Sequence, residues 1–142
     1  MADTDRSIQG NNVGRLFEAF ARGDLDTFLA GSTGGLLITV WGTSPGSTLV
    51  PRDRLHSWCE ALNAMTNGTL RIEVVLGIDF AREHLVILRH VFEIDGAIRQ
   101  YDSVNLCTFR GGKLAGWFAY PMDLQEYATA WGTSLHKAPQ LV

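Results

Sequence analysis

Apolar residues recur at helical spacing in the first part of the chain. The spacing predicts one helix that Ser7 caps and that ends at Gly23, and then a short second helix, Leu25 to Ala30, that Asp24 caps. The apolar stripe of the first helix consists of Ile8, Leu16, Phe17 and Phe20. This stripe is the side of the helix that we expect to face the core.

A β-rich run and a third helix follow. Leu36 to Trp41 is predicted to be a strand, and Gly42 to Ser47 its turn. Pro51 is predicted to begin the third helix, which ends at Asn67 and Gly68. The side that this helix buries consists of Leu55, Trp58, Leu62 and Met65.

The chain after Thr69 predicts an antiparallel meander that is closed by a last turn of helix, Leu124 to Trp131. The strands are expected at Leu70 to Phe80, Leu85 to Ile94, Ala97 to Phe109 and Leu114 to Tyr120. Asp95-Gly96 and Gly111-Gly112 are two-residue turns that favour positive φ and so fix the register of their hairpins. Helices followed by a meander predict an α+β domain.

The Asp95-Gly96 turn sorts the side chains of its two strands by face. It places His90 beside Tyr101 on one face and Arg89 beside Asp102 on the other, and a charged pair suits the more exposed face. We therefore expect the concave face to carry His90, Tyr101, Ser103, Asn105 and Cys107. Continuing the register through the next turn adds Gly116, Phe118 and Tyr120 to that face.

The outer face of the predicted sheet is partly apolar. It is expected to carry Val91, Val104, Leu106 and Trp117. A monomer would expose these side chains as one patch, so the pattern predicts a homodimer formed through the sheet.

Length and composition fit one domain over residues 1–142, with 46% hydrophobic and 19% charged residues; 1–7 and 133–142 are expected to be flexible tails. The net charge of -3 and the scattered basic residues disfavour nucleic acid as a partner. The first residues do not predict a secretory signal, and no apolar segment approaches the ~20 residues of a membrane span. We expect a cytoplasmic protein in which Cys59 and Cys107 are reduced thiols.

Three segments resemble the SnoaL-like polyketide cyclases, a branch of the nuclear-transport-factor-two-like superfamily. They are LFEAFARGDLDTFLA, TVWGTSPGS and FRGGKLAGWFAYPMD, which begin at Leu16, Thr39 and Phe109. The resemblance runs from about residue 8 to about residue 131. It implies a cone-shaped barrel of a strongly curved antiparallel sheet packed on about three N-terminal helices. It also implies an enzyme of natural-product biosynthesis, such as that of antibiotics.

Several ionisable groups of related enzymes are missing at the matching positions. Ketosteroid isomerases carry a tyrosine on the first helix and an aspartate after the first strand, where this chain has Leu16-Phe17 and Trp41-Gly42. Aldol-type cyclases commonly carry a carboxylate on the last strand, where this chain has Gly116 to Ala119. Epoxide hydrolases of the superfamily pair carboxylates around a water, for which Asp79 and Asp102 are only remote candidates. The resemblance alone therefore selects no reaction.

His90, Tyr101 and Asn105 are the candidate catalytic residues. A pocket histidine relays a proton or donates a hydrogen bond, although a core histidine satisfied by a backbone carbonyl would have the same pattern. Asp102 becomes the alternative acid or base if the register slips by one residue, because a slip exchanges the two faces. The expected substrate pocket consists of Phe17, Trp41, Trp58, Leu88, Ser103, Cys107, Phe118 and Tyr120.

The remaining histidines support no metal site or cofactor. His56 and Cys59 are three residues apart on an exposed-looking helix, a spacing that is usually coincidence. His84 is expected in a turn and His136 in a tail.

These observations favour an enzyme that holds a flexible, hydrophobic, polyketide-like intermediate and promotes its ring closure. With few ionisable groups, a pericyclic or carbonyl-assisted cyclisation suits the pocket better than an aldol reaction. Two alternatives stay open: a non-catalytic binding protein for a hydrophobic small molecule, and an interaction domain whose sheet face docks a partner.

Overall fold

The computed structural model describes residues 13–43, 46–79 and 83–132. Within them, helix α1 covers 13–21 and is followed by three more helices, α2 (Leu25–Ala30), α3 (Leu55–Met65) and α4 (Leu124–Trp131). The strands are β1 (Ser32–Thr43), β2 (Gly46–Pro51), β3 (Arg71–Asp79), β4 (Glu83–Ile94), β5 (Ala97–Arg110) and β6 (Lys113–Pro121). The predicted Ser7 cap, the end of the third strand at Phe80, His136 and both tails lie outside the described residues.

The six strands form one curved, open sheet in the order β2-β1-β6-β5-β4-β3. Neighbouring strands are antiparallel except β1 and β6, which are parallel. The α+β class is confirmed, while the expectation of a purely antiparallel sheet is corrected at this one pair. The helices cover the concave side, so the interior of the protein lies between helices and sheet.

The segment around Pro51 differs from the sequence prediction. Gly42 to Ser47 was expected to be a turn, but its last two residues belong to β2, while Ser44 and Pro45 lie outside the described residues. Pro51 ends β2 in an extended conformation with ψ near 157°, and a 3-10 turn, Arg52–Arg54, precedes α3. Proline fixes φ but leaves ψ free, so it starts a helix or ends an edge strand equally well.

Two helix starts are capped by an aspartate side chain, of which Asp24 was predicted and Asp123 was not. The Asp24 carboxylate accepts a hydrogen bond from the backbone N–H of Thr27 at 3.2 Å, which begins α2 as expected. Asp123 accepts from the N–H groups of Gln125 and Glu126 at 2.9 and 3.1 Å, which begins α4. The predicted bounds of both helices are confirmed.

The register of β4 and β5 is the predicted one. Asp95 and Gly96 both have positive φ, and His90 pairs with Tyr101 while Arg89 pairs with Asp102. The two-residue turn therefore fixes which side chains enter the interior.

The register of β5 and β6 contains a β-bulge that the sequence prediction missed. Ala115 is the extra residue, because Phe109 pairs with Leu114 and Thr108 already pairs with Gly116. From there on every side chain of β6 points to the face opposite to the predicted one. Trp117 is consequently 5% exposed and part of the core, and Phe118 is 44% exposed on the outer face. Gly116 and Tyr120 change faces in the same way, although the Tyr120 ring also reaches the rim of the interior.

The interior has two apolar clusters. The first packs α1, α2 and α3 on the sheet, with Phe17, Phe20 and Phe28 arranged edge-on around Trp117 at centroid distances of 5.0 to 5.6 Å. The second joins α4 to the sheet through Phe92, Tyr101, Tyr127, Ala130 and Trp131. Leu62 of α3 contacts both clusters. None of the helices described has the length and apolar character needed to cross a membrane.

Candidate active site

A cavity lies between the two clusters. Its volume is about 80 Å³, which is room for several water molecules and less than the about 300 to 1,000 Å³ that is usual for small-molecule sites. The walls are mostly apolar and aromatic. Trp41, which is 42% exposed, stacks on Tyr120 at 5.9 Å and marks the outer rim.

A chain of hydrogen bonds runs along the sheet wall of this cavity. The Trp117 Nε1–H donates to Asn105 Oδ1 at 2.7 Å, and Asn105 Nδ2 donates to Ser103 Oγ at 3.0 Å. Ser103 Oγ lies 3.0 Å from His90 Nε2. These residues come from β4, β5 and β6, and each occupies an inward position of its strand. The bulge at Ala115 is what brings the indole into this chain.

Asn105 holds the chain in place. It is 1% exposed, and its amide nitrogen also reaches the carbonyl oxygens of Val86 and Ser103 at 3.2 and 3.3 Å. Its donors and its acceptor are therefore engaged within the protein. The predicted catalytic Asn105 is in the wall, and its geometry suits orienting Ser103 rather than contacting a ligand.

His90 is a neutral group at the cavity. Burial lowers the pKa of His90 to about 4, and the nearby Asp102 opposes this shift only in part. Among the described residues the Ser103 hydroxyl has no acceptor other than His90 Nε2, so we assign its proton to the bond with Nε2 and the ring proton to Nδ1. The imidazole stacks on Tyr101 at 4.4 Å and 7°, so its orientation is fixed on one face by a ring and at one edge by a hydroxyl.

Two tyrosines add neutral hydroxyl groups to the cavity. Burial raises the pKa of Tyr101, and it raises the pKa of Tyr127 to about 12. Both phenols are therefore protonated at neutral pH and can donate hydrogen bonds. Their rings meet edge to face at 4.9 Å, and Tyr127 belongs to α4, which covers this end of the cavity.

Asp102 lies on the outer face of the sheet, as its pairing predicted. Arg89 Nε and Nη2 donate to its two carboxylate oxygens at 3.0 and 3.3 Å. Its backbone N–H donates to Glu126 Oε1 at 3.1 Å and so links the sheet to α4. The alternative that Asp102 faces the cavity as an acid or base is not what this geometry supports.

The predicted pocket residues divide into three groups. Those that line the cavity are Trp41, Trp58, Leu88, Ser103 and Tyr120, together with His90, Tyr101 and Asn105. Phe17 and Cys107 are fully buried in the first cluster, behind the cavity wall, and Phe118 is on the outer face. Phe17 and Cys107 are inward-facing, but the side chains of the first cluster surround them and they do not reach the cavity.

Sequence reasoning missed several lining residues, among them Trp117, Ala119, Tyr127 and Trp131. Trp117 and Ala119 face the cavity because of the bulge, and the residues of the preceding turn do not predict that bulge. The other two are four residues apart on α4, and that spacing alone would have placed them on one face of the helix.

Two other groups lie outside the cavity. His84 was expected in a turn but belongs to β4, where it contacts the Asp79 carboxylate and meets the Phe109 ring edge-on at 4.6 Å. Burial lowers the pKa of His84.

Burial also raises the pKa of the Cys59 and Cys107 thiols to about 12, so neither thiol is an activated nucleophile. Across the described residues, no three His, Cys, Asp or Glu side chains are grouped as a metal site.

Comparison with known proteins identifies the fold. No protein-family model and no curated protein matches the chain. Among solved structures it is similar to Bal32a from a soil-derived mobile gene cassette, with a TM-score of 0.75 and 18% identity over 89% of this chain and 98% of that one. A proposed SnoaL-like polyketide cyclase from Jannaschia sp. CCS1 has a TM-score of 0.69 and 17% identity over 94% and 95%. A nuclear-transport-factor-two-like protein of unknown function from Burkholderia pseudomallei K96243 has a TM-score of 0.68 and 18% identity over 86% and 95%. The chain has the fold that these proteins share, as the sequence resemblance implied.

Proposed function

We propose that this protein is a polyketide cyclase-like enzyme that promotes ring closure of a hydrophobic biosynthetic intermediate in the cavity. The observation that carries the proposal is the combination of an apolar, partly enclosed cavity with a fixed chain of neutral polar groups that ends at His90. Structural neighbours described as polyketide cyclases agree with this reading at low identity.

The wall chemistry favours a conformational or carbonyl-assisted reaction. No carboxylate of the described residues lines the cavity, and His90 is neutral at physiological pH. An aldol reaction requires a base that removes a proton from carbon, whereas a preorganised cavity accelerates cyclisation by holding the reactive conformer. Hydrogen bonds from His90 Nδ1 and Tyr101 to a substrate carbonyl would add polarisation.

One observation favours the alternative of a non-catalytic binding protein. Ser103 and Asn105 are satisfied by one another and by the backbone, so two of the polar wall groups have little capacity left for a substrate. Such a wall suits recognition by shape. The two functions differ in the product that the pathway makes, not in the ligand that the cavity holds.

Metabolite profiling of the natural host separates the two. We expect deletion of the gene to replace a cyclised product by its uncyclised precursor or by shunt products, seen by chromatography with tandem mass spectrometry. Re-expressed wild type should restore the product. His90→Gln should lower its rate of formation about 10- to 1000-fold, while Asp102→Asn, on the outer face, should restore it fully once its folding has been checked.

The opposite result is equally informative. If Asp102→Asn abolishes the product and His90→Gln does not, the carboxylate-free mechanism is wrong. If deletion changes only the amount of an already cyclised compound, the binding protein is the correct reading.

We also propose that the working form is a homodimer, and the outer sheet face supports this part of the proposal. Leu37, Leu49 and Phe118 of β1, β2 and β6 are each more than two-fifths exposed on this face. Exposed apolar area that continues across neighbouring strands is typical of a subunit interface.

A further inference from the structure

Trp131 is a buried hydrogen-bond donor without a partner. Its side chain lines the cavity and is 4% exposed, and Nε1 makes no hydrogen bond to any part of the chain that the structure describes. The ring is held in place, because Phe92 stacks on it at 4.3 Å and Arg99 Nη1 donates to the carbonyl oxygens of Thr129 and Ala130. A fixed and buried N–H on a side chain that lines a cavity is the kind of group that a ligand or a water completes.

A second free donor lies beside it. The Tyr101 and Trp131 rings are tilted against each other with their centroids 6.2 Å apart, and Trp131 Nε1 makes no well-formed hydrogen bond to the Tyr101 hydroxyl. Burial raises the pKa of Tyr101, and the neighbouring indole opposes this shift in part. The Tyr101 ring is fixed between His90 and Tyr127, at 4.4 and 4.9 Å. Two immobile donors therefore stand close together at one end of the cavity, and neither is satisfied by the other.

We propose that the Trp131 Nε1–H and the Tyr101 O–H together bind one carbonyl oxygen of the ligand, a site that rests on the proposed use of the cavity as a small-molecule pocket. A carbonyl oxygen has two lone pairs and accepts from both donors at once. The ligand class is a neutral, largely apolar ketone. An ionised ligand would bury its charge unpaired, because neither a cationic nor an acidic side chain of the described residues lines the cavity.

The site also has a chemical consequence for ring closure. Two donors aimed at a carbonyl oxygen stabilise the negative charge that develops there when the carbonyl is attacked or enolised. Trp131 thereby becomes a binding residue that is separate from the strand chain of His90 and Ser103, because it belongs to α4.

A matched pair of rigid tricyclic probes tests the site. Fluorenone carries one carbonyl, and fluorene has nearly the same shape without it. We expect wild type to bind fluorenone about 10-fold more tightly than fluorene, the worth of one buried hydrogen bond, by tryptophan fluorescence or calorimetry. In Trp131→Phe the preference should fall to less than about 3-fold, with the affinity for fluorene retained.

A spectroscopic measurement separates a hydrogen bond from a change in packing. The carbonyl stretch of bound fluorenone should lie at lower wavenumber in wild type than in Trp131→Phe. Replacement of Trp131 by β-(3-benzothienyl)alanine keeps the bicyclic shape without the N–H. This variant should show the same loss of preference for fluorenone, and it serves in place of the phenylalanine variant if that variant folds poorly.

The outcomes distinguish this inference from the proposed function. Equal affinity of wild type for both probes, or an unchanged carbonyl stretch in both variants, overturns the carbonyl site and leaves the cavity as a pocket. Failure of wild type to bind either probe up to its solubility overturns the pocket and the carbonyl site together.

Discussion

Replacement of Trp117 by phenylalanine tests the hydrogen-bonded chain in the cavity wall. The change removes the Nε1–H that reaches Asn105 Oδ1 at 2.7 Å and leaves a carbonyl oxygen that is 1% exposed without a donor. An unsatisfied buried acceptor costs about 1 to 3 kcal/mol. The smaller ring adds about 1 kcal/mol of lost packing beside Phe17 and Phe20. We expect the free energy of unfolding to fall by about 2 to 4 kcal/mol.

Trp58→Phe is the matched control. Trp58 is buried to almost the same extent, lines the same cavity and makes no hydrogen bond through its indole within the described part of the chain. The same chemical change should cost only the packing part there. Urea denaturation with a fixed m-value gives both numbers, and the difference between them isolates the hydrogen bond at about 1 to 3 kcal/mol.

A negligible difference would refute the reasoning about the wall. If Trp117→Phe and Trp58→Phe are equally destabilising, the Asn105 amide is not anchored by the indole, and the orientation of Ser103 and His90 has another origin. A double-mutant cycle with Asn105→Ala checks the same point, because the coupling between the two sites should vanish if the bond contributes nothing.

Three further results are expected. The lowered pKa of His90 means that the unfolded chain takes up a proton near pH 6.5, while the folded chain does so only near pH 4. Stability should therefore fall as the pH drops from about 6.5 to about 4, with up to about 3 kcal/mol due to His90. In His90→Gln this contribution should be lost, and the smaller slope due to His84, whose pKa is also lowered, should remain. Sedimentation velocity should show a dimer at micromolar concentration and a monomer for Phe118→Lys, whereas a monomeric wild type would contradict the outer-face interface. Ala119→Phe, which places a ring in the cavity, should abolish the thermal stabilisation by fluorene with little effect on the far-UV circular dichroism, and undiminished stabilisation would show that fluorene binds elsewhere.

Much of the fold follows from local rules that act within a few residues. The Asp24 cap and the Asp95-Gly96 turn are local patterns that each predict one structure. The turn already places His90 beside Tyr101. The inward position of the candidate histidine could therefore be predicted before any tertiary contact was known. The parallel pairing of β1 with β6 could not, since it depends on how the sheet curves around the helices.

The site was predicted less completely because its geometry depends on one extra residue. Gly111-Gly112 sets the start of β6 correctly, with Arg110 opposite Lys113, but nothing in the local pattern distinguishes a regular β6 from one with a bulge at Ala115. Alternation of apolar and polar residues would normally decide, and here both faces of β6 are apolar. Trp117 was consequently assigned to the outer face, and its role as the donor that anchors Asn105 was missed.

The bulge at Ala115 separates the length of β6 from the choice of side chains that it turns inward. Deletion of Ala115 would leave Gly116 opposite Thr108 and Trp117 opposite Cys107, so β6 would pair regularly and keep Trp117 in the interior. The wall of the cavity therefore tolerates the loss of one residue at this position of the strand. Loss of one residue further along β6 would instead turn the following side chains to the other face.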